Sequence, residues 1–230
     1  MKRLIPKGAL IVSCQARGDN PLHGPQFMAA MARAAEQGGA LGLRANGEAD
    51  ITAIRGVTAL PLVGLLKRDD PGYPVYITPD FECARIVAAA GADIVALDAT
   101  EFPRNGEAIE ILIPRIQREL GIQVMADIDT LEAGAGAAAL GADYVGTTLS
   151  GYTRRSEHMK PRGPDLELVS ALAKALQVPV IAEGRFETPS QVREAFARGA
   201  HAVCVGTAIT NPREIARRFA AAPAPANIAL

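Results

Sequence analysis

The stretch Val178–Pro212, VPVIAEGRFETPSQVREAFARGAHAVCVGTAITNP, reads as strand, turn, helix, strand, turn, helix. Val178–Ala182 is a short β-branched run, the composition of a strand buried on both faces. Glu183-Gly184-Arg185 ends it in a turn. Thr188 is placed to cap a helix that starts at Pro189, where a missing N–H costs no intrahelical bond. Gly199-Ala200 closes that helix, and Ala202–Val205 is the next buried strand. Gly206-Thr207 then leads to another helix start at Asn211-Pro212.

Parallel strands joined by crossover helices share one face at their C-terminal ends. On that face this stretch puts a carboxylate, Glu183, and two glycine turns, Gly184-Arg185 and Gly206-Thr207. Glycine lets backbone N–H groups approach an anion, and a helix N-terminus adds positive potential. In closed barrels of eight βα units the last two βα loops are the frequent phosphate site.

Outward from there the pattern repeats. The strands are expected at Ala9–Cys14, Ala40–Arg44, Leu62–Lys67, Ile94–Asp98, Val124–Asp127 and Tyr144–Thr147, ahead of the two already read. Helices are expected at Pro25–Gln37, Glu48–Val57, from Thr78-Pro79, Ile109–Leu120, Leu131–Leu140 and Asp165–Leu176. Gly91-Ala92-Asp93, Gly141-Ala142-Asp143 and Gly199-Ala200-His201 each precede a buried strand, glycine being the residue a helix end favours. Spacing is even, and no G-x-G-x-x-G follows the first strand, which favours closure over an open doubly wound sheet. The expected fold is α/β, a single-domain (β/α)8 TIM barrel over residues 1–220, followed by a flexible Ala/Pro-rich tail over 221–230.

At 230 residues and 49 % hydrophobic, the chain can bury one sizeable core. A formal net charge of −1 and the absence of Trp argue against nucleic acid and anionic membranes as partners. Three cysteines, Cys14, Cys83 and Cys204, without C-x-x-C spacing point to a reduced, cytoplasmic setting. No 18-residue apolar run or signal-peptide core is present. A homo-oligomer is left open.

The strands end on Cys14-Gln15, Arg44, Lys67, Asp98, Asp127, Thr147-Thr148, Glu183 and Gly206-Thr207. Polar strand ends are how this fold builds active sites. Lys67 closes the apolar run LPLVGLLK, so partial desolvation would depress its pKa and suit it to act as a base or Schiff-base nucleophile. Otherwise it snorkels to water or pairs with Asp69. Glu183 suits a general acid or an orienting carboxylate; otherwise it pairs with Arg44 or Arg185. Asp98 and Asp127 are alternatives for either role, and Asp127 could instead cap the following helix. Cys14 lacks an adjacent histidine and reads as a packed thiol. His201 precedes a strand and reads as structural; His23 and His158 lie in loops. No metal site is expected, since no histidine stands in H-E-x-x-H or H-x-x-E-H spacing. Arg154 to Arg162 reads as a solvated basic loop with the alternative of a lid.

A series of short segments resembles the N-acetylmannosamine-6-phosphate 2-epimerase family of sialic-acid catabolism. They are IVSCQA (11–16), PLHG (21–24), GLRANG (42–47), GLLKRD (64–69), YITP (76–79), ALDAT (96–100), MADIDTLEAG (125–134), TTLSGYT (147–153), IAEGR (181–185) and VGTAITNP (205–212). The resemblance implies a barrel enzyme, an isomerase that interconverts N-acetylmannosamine 6-phosphate and N-acetylglucosamine 6-phosphate without cofactor. It implies Lys67 as base, Glu183 as its catalytic partner, and Gln15, Arg44 and Asp127 as substrate contacts. Thr147 is a further expected substrate contact, and Gly184, Arg185, Gly206 and Thr207 are expected to bind phosphate. The family often has Arg where this chain has Asn211, so Arg185 or backbone N–H groups would have to hold the phosphate here. The rival readings are a metal-dependent pentose-phosphate epimerase, a Schiff-base aldolase using Lys67, and a non-catalytic sugar-phosphate binding protein.

Overall fold

A computed structural model describes residues 3–222. The eight strands are β1 (Ala9–Cys14), β2 (Gly42–Asn46), β3 (Leu62–Leu65), β4 (Ile94–Asp98), β5 (Gln123–Asp127), β6 (Tyr144–Gly146), β7 (Val180–Glu183) and β8 (Ala202–Val205). Each pairs in parallel with its sequence neighbour, and β8 pairs with β1, closing the barrel. The helices are α1 (Pro25–Gln37), α2 (Glu48–Arg55), α3 (Phe81–Ala89), α4 (Ile109–Leu120), α5 (Leu131–Ala139), α6 (Leu166–Ala175), α7 (Pro189–Ala197), α8 (Thr207–Thr210) and α9 (Pro212–Ala220). The fold is thus the (β/α)8 barrel that the repeating pattern predicts. Residues 223–230, most of the expected tail, lie outside the described residues.

The Gly-Ala-Asp/His triplets act as joints. Gly91, Gly141 and Gly199 take φ of 103°, 94° and 99°, the left-handed turn that ends a helix and that L side chains resist. The acid that follows then anchors the neighbouring strand: Leu62 N–H donates to Asp93 Oδ2 at 2.9 Å, and Val124 N–H to Asp143 Oδ2 at 2.9 Å. Thr188 and Gln191 form a reciprocal capping box at the start of α7, the helix read from Thr188-Pro189.

Several boundaries differ from the sequence reading. Strand β2 starts two residues late because Ala40 N–H still bonds Ala35 O in the turn that closes α1. Helix α3 begins at Phe81, not at Thr78: Asp80 is the cap, its carboxylate accepting from Cys83 N–H at 2.9 Å. Thr78 instead sits at φ 43° in a return segment, where its hydroxyl donates to Ala96 O at 2.6 Å. Strand β7 starts at Val180 and runs through Glu183. The loop after β6 carries a 3-10 helix, Glu157–Arg162, and Gly206-Thr207 opens the short α8; neither was expected.

Alternate residues along each strand point inward. Ile11, Val63, Ala96, Met125, Ile181 and Cys204 belong to an inner core that fills the barrel. Its lower end is sealed: Leu4 and Ile5 N–H both donate to the Tyr144 hydroxyl, at 2.9 and 3.1 Å. His201 bonds Ile5 O at 2.9 Å, which makes it structural. A packed interior with a sealed base leaves the C-terminal rim as the place for chemistry. No helix among the described residues is long and apolar enough to cross a membrane.

Candidate active site

Strand parity decides what reaches the rim. On β2 the inward positions are Gly42, Arg44 and Asn46, so Arg44 lies inside the barrel at 1 % exposure. Its guanidinium donates to Asp127 Oδ2 at 2.5 Å, to Asp127 Oδ1 at 3.1 Å and to Glu183 Oε2 at 2.9 Å. Thr148 adds its hydroxyl to Asp127 Oδ1 at 2.6 Å and to Glu183 Oε2 at 3.2 Å. One buried cation therefore holds two carboxylates from β5 and β7. Asp127 does not cap the helix after β5; Thr130 does, accepting from Ala133 N–H.

Gly146 on β6 makes room for this cluster. A Cβ there would stand 2.3 Å from Met125 Cε and 3.2 Å from Asp127 Oδ1. Any side chain would push into the floor of the site or into the carboxylate.

Lys67 lies just beyond β3 and bridges to Ile77 of the return segment. Its ammonium donates to Gln15 Oε1 at 2.9 Å, and Gln15 is in turn oriented by a 2.9 Å bond from its amide to the Ser13 hydroxyl. Its backbone N–H donates to Asn46 Oδ1 at 2.8 Å, which fixes the start of the side chain. Lys67 does not pair with Asp69. Surrounding protein, then the Arg44 charge, lowers its pKa below the ordinary 10.5, and the Glu183 carboxylate pulls the other way. The side chain remains open to solutes. Glu183 moves in the opposite sense: burial raises its pKa, with Arg44 opposing. Arg44 is more strongly protonated than usual, because its two carboxylates outweigh its burial.

The other expected residues fall as follows. Thr147 faces away from the barrel interior: its hydroxyl donates to Glu183 O at 2.9 Å and accepts Glu183 N–H at 3.0 Å. It sets the backbone of β7, and the threonine that reaches the cluster is its neighbour Thr148. Period-two counting from Tyr144 would have found it. Arg185 is also corrected. At φ 58° it turns its guanidinium onto the loop after β6, where it donates to Gly163 O at 2.6 Å and to Ser150 O and stacks 5.6 Å from the Tyr152 ring. It braces that loop. Gly184 and Gly206 follow the ends of β7 and β8, with Thr207 opening α8. The first amides of a helix lack intrahelical partners, so Thr207 and Ala208 N–H are open to an acceptor there. Asn211 caps α9: its carbonyl oxygen accepts Glu214 N–H at 3.3 Å and the Asn20 amide at 3.2 Å. Cys14 packs outside the barrel wall, its pKa pushed up to about 12 by burial, and is no nucleophile. Arg155 pairs with Glu101 at 2.5 Å. Among the described residues no three His, Cys, Asp or Glu side chains group as a metal would need.

A reachable lysine of lowered basicity beside a buried arginine–carboxylate cluster defines a barrel with an acid–base active site. The comparisons with known proteins make that class specific. Residues 28–224 match the family described as "NanE: Putative N-acetylmannosamine-6-phosphate epimerase". A "Putative N-acetylmannosamine-6-phosphate 2-epimerase" from Caldanaerobacter subterraneus subsp. tengcongensis is 50 % identical over 215 residues, covering 93 % of this chain and 90 % of its own. A protein of the same description from Thermosynechococcus vestitus is 52 % identical over 204 residues, covering 89 % and 88 %. The solved N-acetylmannosamine-6-phosphate 2-epimerase from Clostridium perfringens superposes with a TM-score of 0.90 at 44 % identity, covering 94 % of this chain and 93 % of that one. The chain belongs to the N-acetylmannosamine-6-phosphate epimerase family.

Proposed function

We propose that this protein is an isomerase that interconverts N-acetylmannosamine 6-phosphate and N-acetylglucosamine 6-phosphate, a step of sialic-acid catabolism in the cytoplasm. The observation that carries the reading is the convergence of Lys67, Glu183 and Arg44 on one barrel rim. Inverting C2 requires removal of the proton α to the C1 carbonyl and its return to the opposite face. Lys67 is the base: its lowered pKa leaves more neutral amine available near neutral pH than an ordinary lysine has. Arg44, held by Asp127, supplies the positive charge that steadies the enolate. Glu183, protonated more readily than a free glutamate, carries protons for ring opening and for return at C2.

Gln15 and Asp127 position the sugar at the rim. The phosphate sits on the amides of the Gly184 and Gly206-Thr207 turns, the loops that follow β7 and β8. The named side chains supply the whole acid–base cycle, so the reading includes no cofactor. Proton NMR of N-acetylmannosamine 6-phosphate in heavy water tests it. The expected result is N-acetylglucosamine 6-phosphate with deuterium at C2; no product and no label would overturn the reading. C2–H exchange of the opened sugar should also rise with pH through a midpoint below the 10.5 of ordinary lysine, because the base must lose its proton to act.

A further inference from the structure

Asp98, Asp127 and Glu183 come from the C-terminal ends of β4, β5 and β7, and two of them are committed. Asp127 binds Arg44 through both oxygens and takes the Thr148 hydroxyl as well. Glu183 binds Arg44 and Thr148 through Oε2. Asp98 differs. It follows Ile94 and Ala96 of the inner core on β4, so its side chain points into the barrel, and it pairs in register with Asp127. Only 3 % of the residue is exposed. Oδ1 is fixed by the Thr100 N–H at 2.9 Å and the Thr100 hydroxyl at 2.6 Å. Oδ2 has no hydrogen-bond partner among the described residues, and it is not one of the polar atoms sealed from solvent. The nearby Arg104 bonds the Asp98 backbone carbonyl at 2.6 Å, not the carboxyl. A carboxyl group inside the barrel that is held by one oxygen, feels Arg104 without bonding it and makes no ion pair among the described residues is placed to exchange a proton with a ligand.

We propose that Asp98 is a further catalytic residue, the acid that protonates the ring oxygen when the pyranose opens; this rests on the epimerase reading above. The proton on Asp98 Oδ2 passes to the ring oxygen as the C1–O5 bond breaks, and that electron pair stays on O5. The O1–H electrons become the second bond of the C1 carbonyl, and the O1 proton passes to the Glu183 carboxylate. Once Glu183 has given its proton to C2 and regained, by way of solvent, the proton that Lys67 removed, closure reverses both transfers, so no group is consumed. Lys67 is thereby reserved for C2, and the two carboxyl groups handle the two oxygens on C1.

Two further observations fit. Burial raises the Asp98 pKa to about 6, against the pull of Thr100, so a protonated fraction persists near neutral pH. Tyr76, half-buried against the inner core, feels both Asp98 and Asp127, and its own pKa is raised by burial first and then by these charges.

Ring opening and C2 chemistry separate by NMR, because exchange between the α and β anomers needs opening alone. Wild-type protein should catalyse that exchange in N-acetylmannosamine 6-phosphate. Asp98→Asn keeps an oxygen for both Thr100 bonds but cannot give a proton. Catalysed anomer exchange is expected to fall roughly 100-fold, the low end for loss of a general acid. Lys67→Ala should keep anomer exchange and lose C2–H exchange with solvent. Anomer exchange in Asp98→Asn within about threefold of wild type, or none in wild type, would overturn the proposal. C2–H exchange surviving in Lys67→Ala would instead overturn the base assignment. Thr100→Val, which removes the hydroxyl bond to Oδ1 and leaves the backbone N–H bond and the carboxyl in place, is the second variant should Asp98→Asn fold poorly. It should slow anomer exchange more than C2–H exchange of the opened sugar; no slowing would count against Asp98.

Discussion

The two ends of this barrel solve the same problem in opposite ways. At the base, polar side chains bond backbone groups: the Tyr144 hydroxyl accepts Leu4 and Ile5 N–H, and His201 Nε2 bonds Ile5 O. At the rim charged groups are unevenly matched, with Arg44 ion-paired to Asp127 and Glu183 while Asp98 makes no ion pair among the described residues and Arg104 bonds only its backbone carbonyl. The base is arranged for stability. The rim accepts the cost of buried charge to hold groups whose protons can move. The lesson is that burial alone does not mark a site; burial with incomplete pairing does.

Breaking the rim should therefore cost most. Arg44→Ala leaves two buried carboxylates without their cation and should lower unfolding free energy by about 3–5 kcal/mol, together with activity. Thermal unfolding and turnover measure both. Asp98→Asn should do the reverse for stability. A folded-state pKa near 6 against 3.8 unfolded means the native state holds the proton more tightly, so stability falls as pH rises between those values. Removing the charge should stabilise the protein by up to about 3 kcal/mol at pH 7 to 8, and the gain should vanish below pH 4. Urea titrations at the two pH values distinguish this from a general packing effect. At the base, Tyr144→Phe orphans two backbone donors and should destabilise by about 1–3 kcal/mol with turnover unchanged. Smallest of all, Thr188→Ala removes the cap of α7 and should cost about 1 kcal/mol without touching chemistry. A Tyr144→Phe variant that lost turnover would erase the distinction between the ends.

Much of this was legible in the sequence because its causes are local. The Gly-Ala-Asp triplets and the Thr188-Pro189 start mark joints whose geometry depends on neighbouring residues alone, and they give the barrel and the strand ends. Lys67 and Glu183 could be read as rim groups for the same reason. What escaped needed partners distant in sequence. Arg185 sits in a promising turn, but its guanidinium is drawn to the carbonyls of Ser150 and Gly163. Thr78-Pro79 looks like a helix start, yet Thr78 bonds Ala96 of the next strand and the helix waits for Asp80. Thr147 against Thr148 is different: a one-residue choice that strand parity resolves once the strand is anchored at Tyr144.

The central claim is that Lys67 takes the proton from C2. Proton NMR of the Lys67→Ala protein with N-acetylglucosamine 6-phosphate in heavy water addresses it directly. The account predicts that the C2 proton signal stays intact over times in which the wild-type protein replaces it with deuterium. Loss of that signal at the wild-type rate would contradict it.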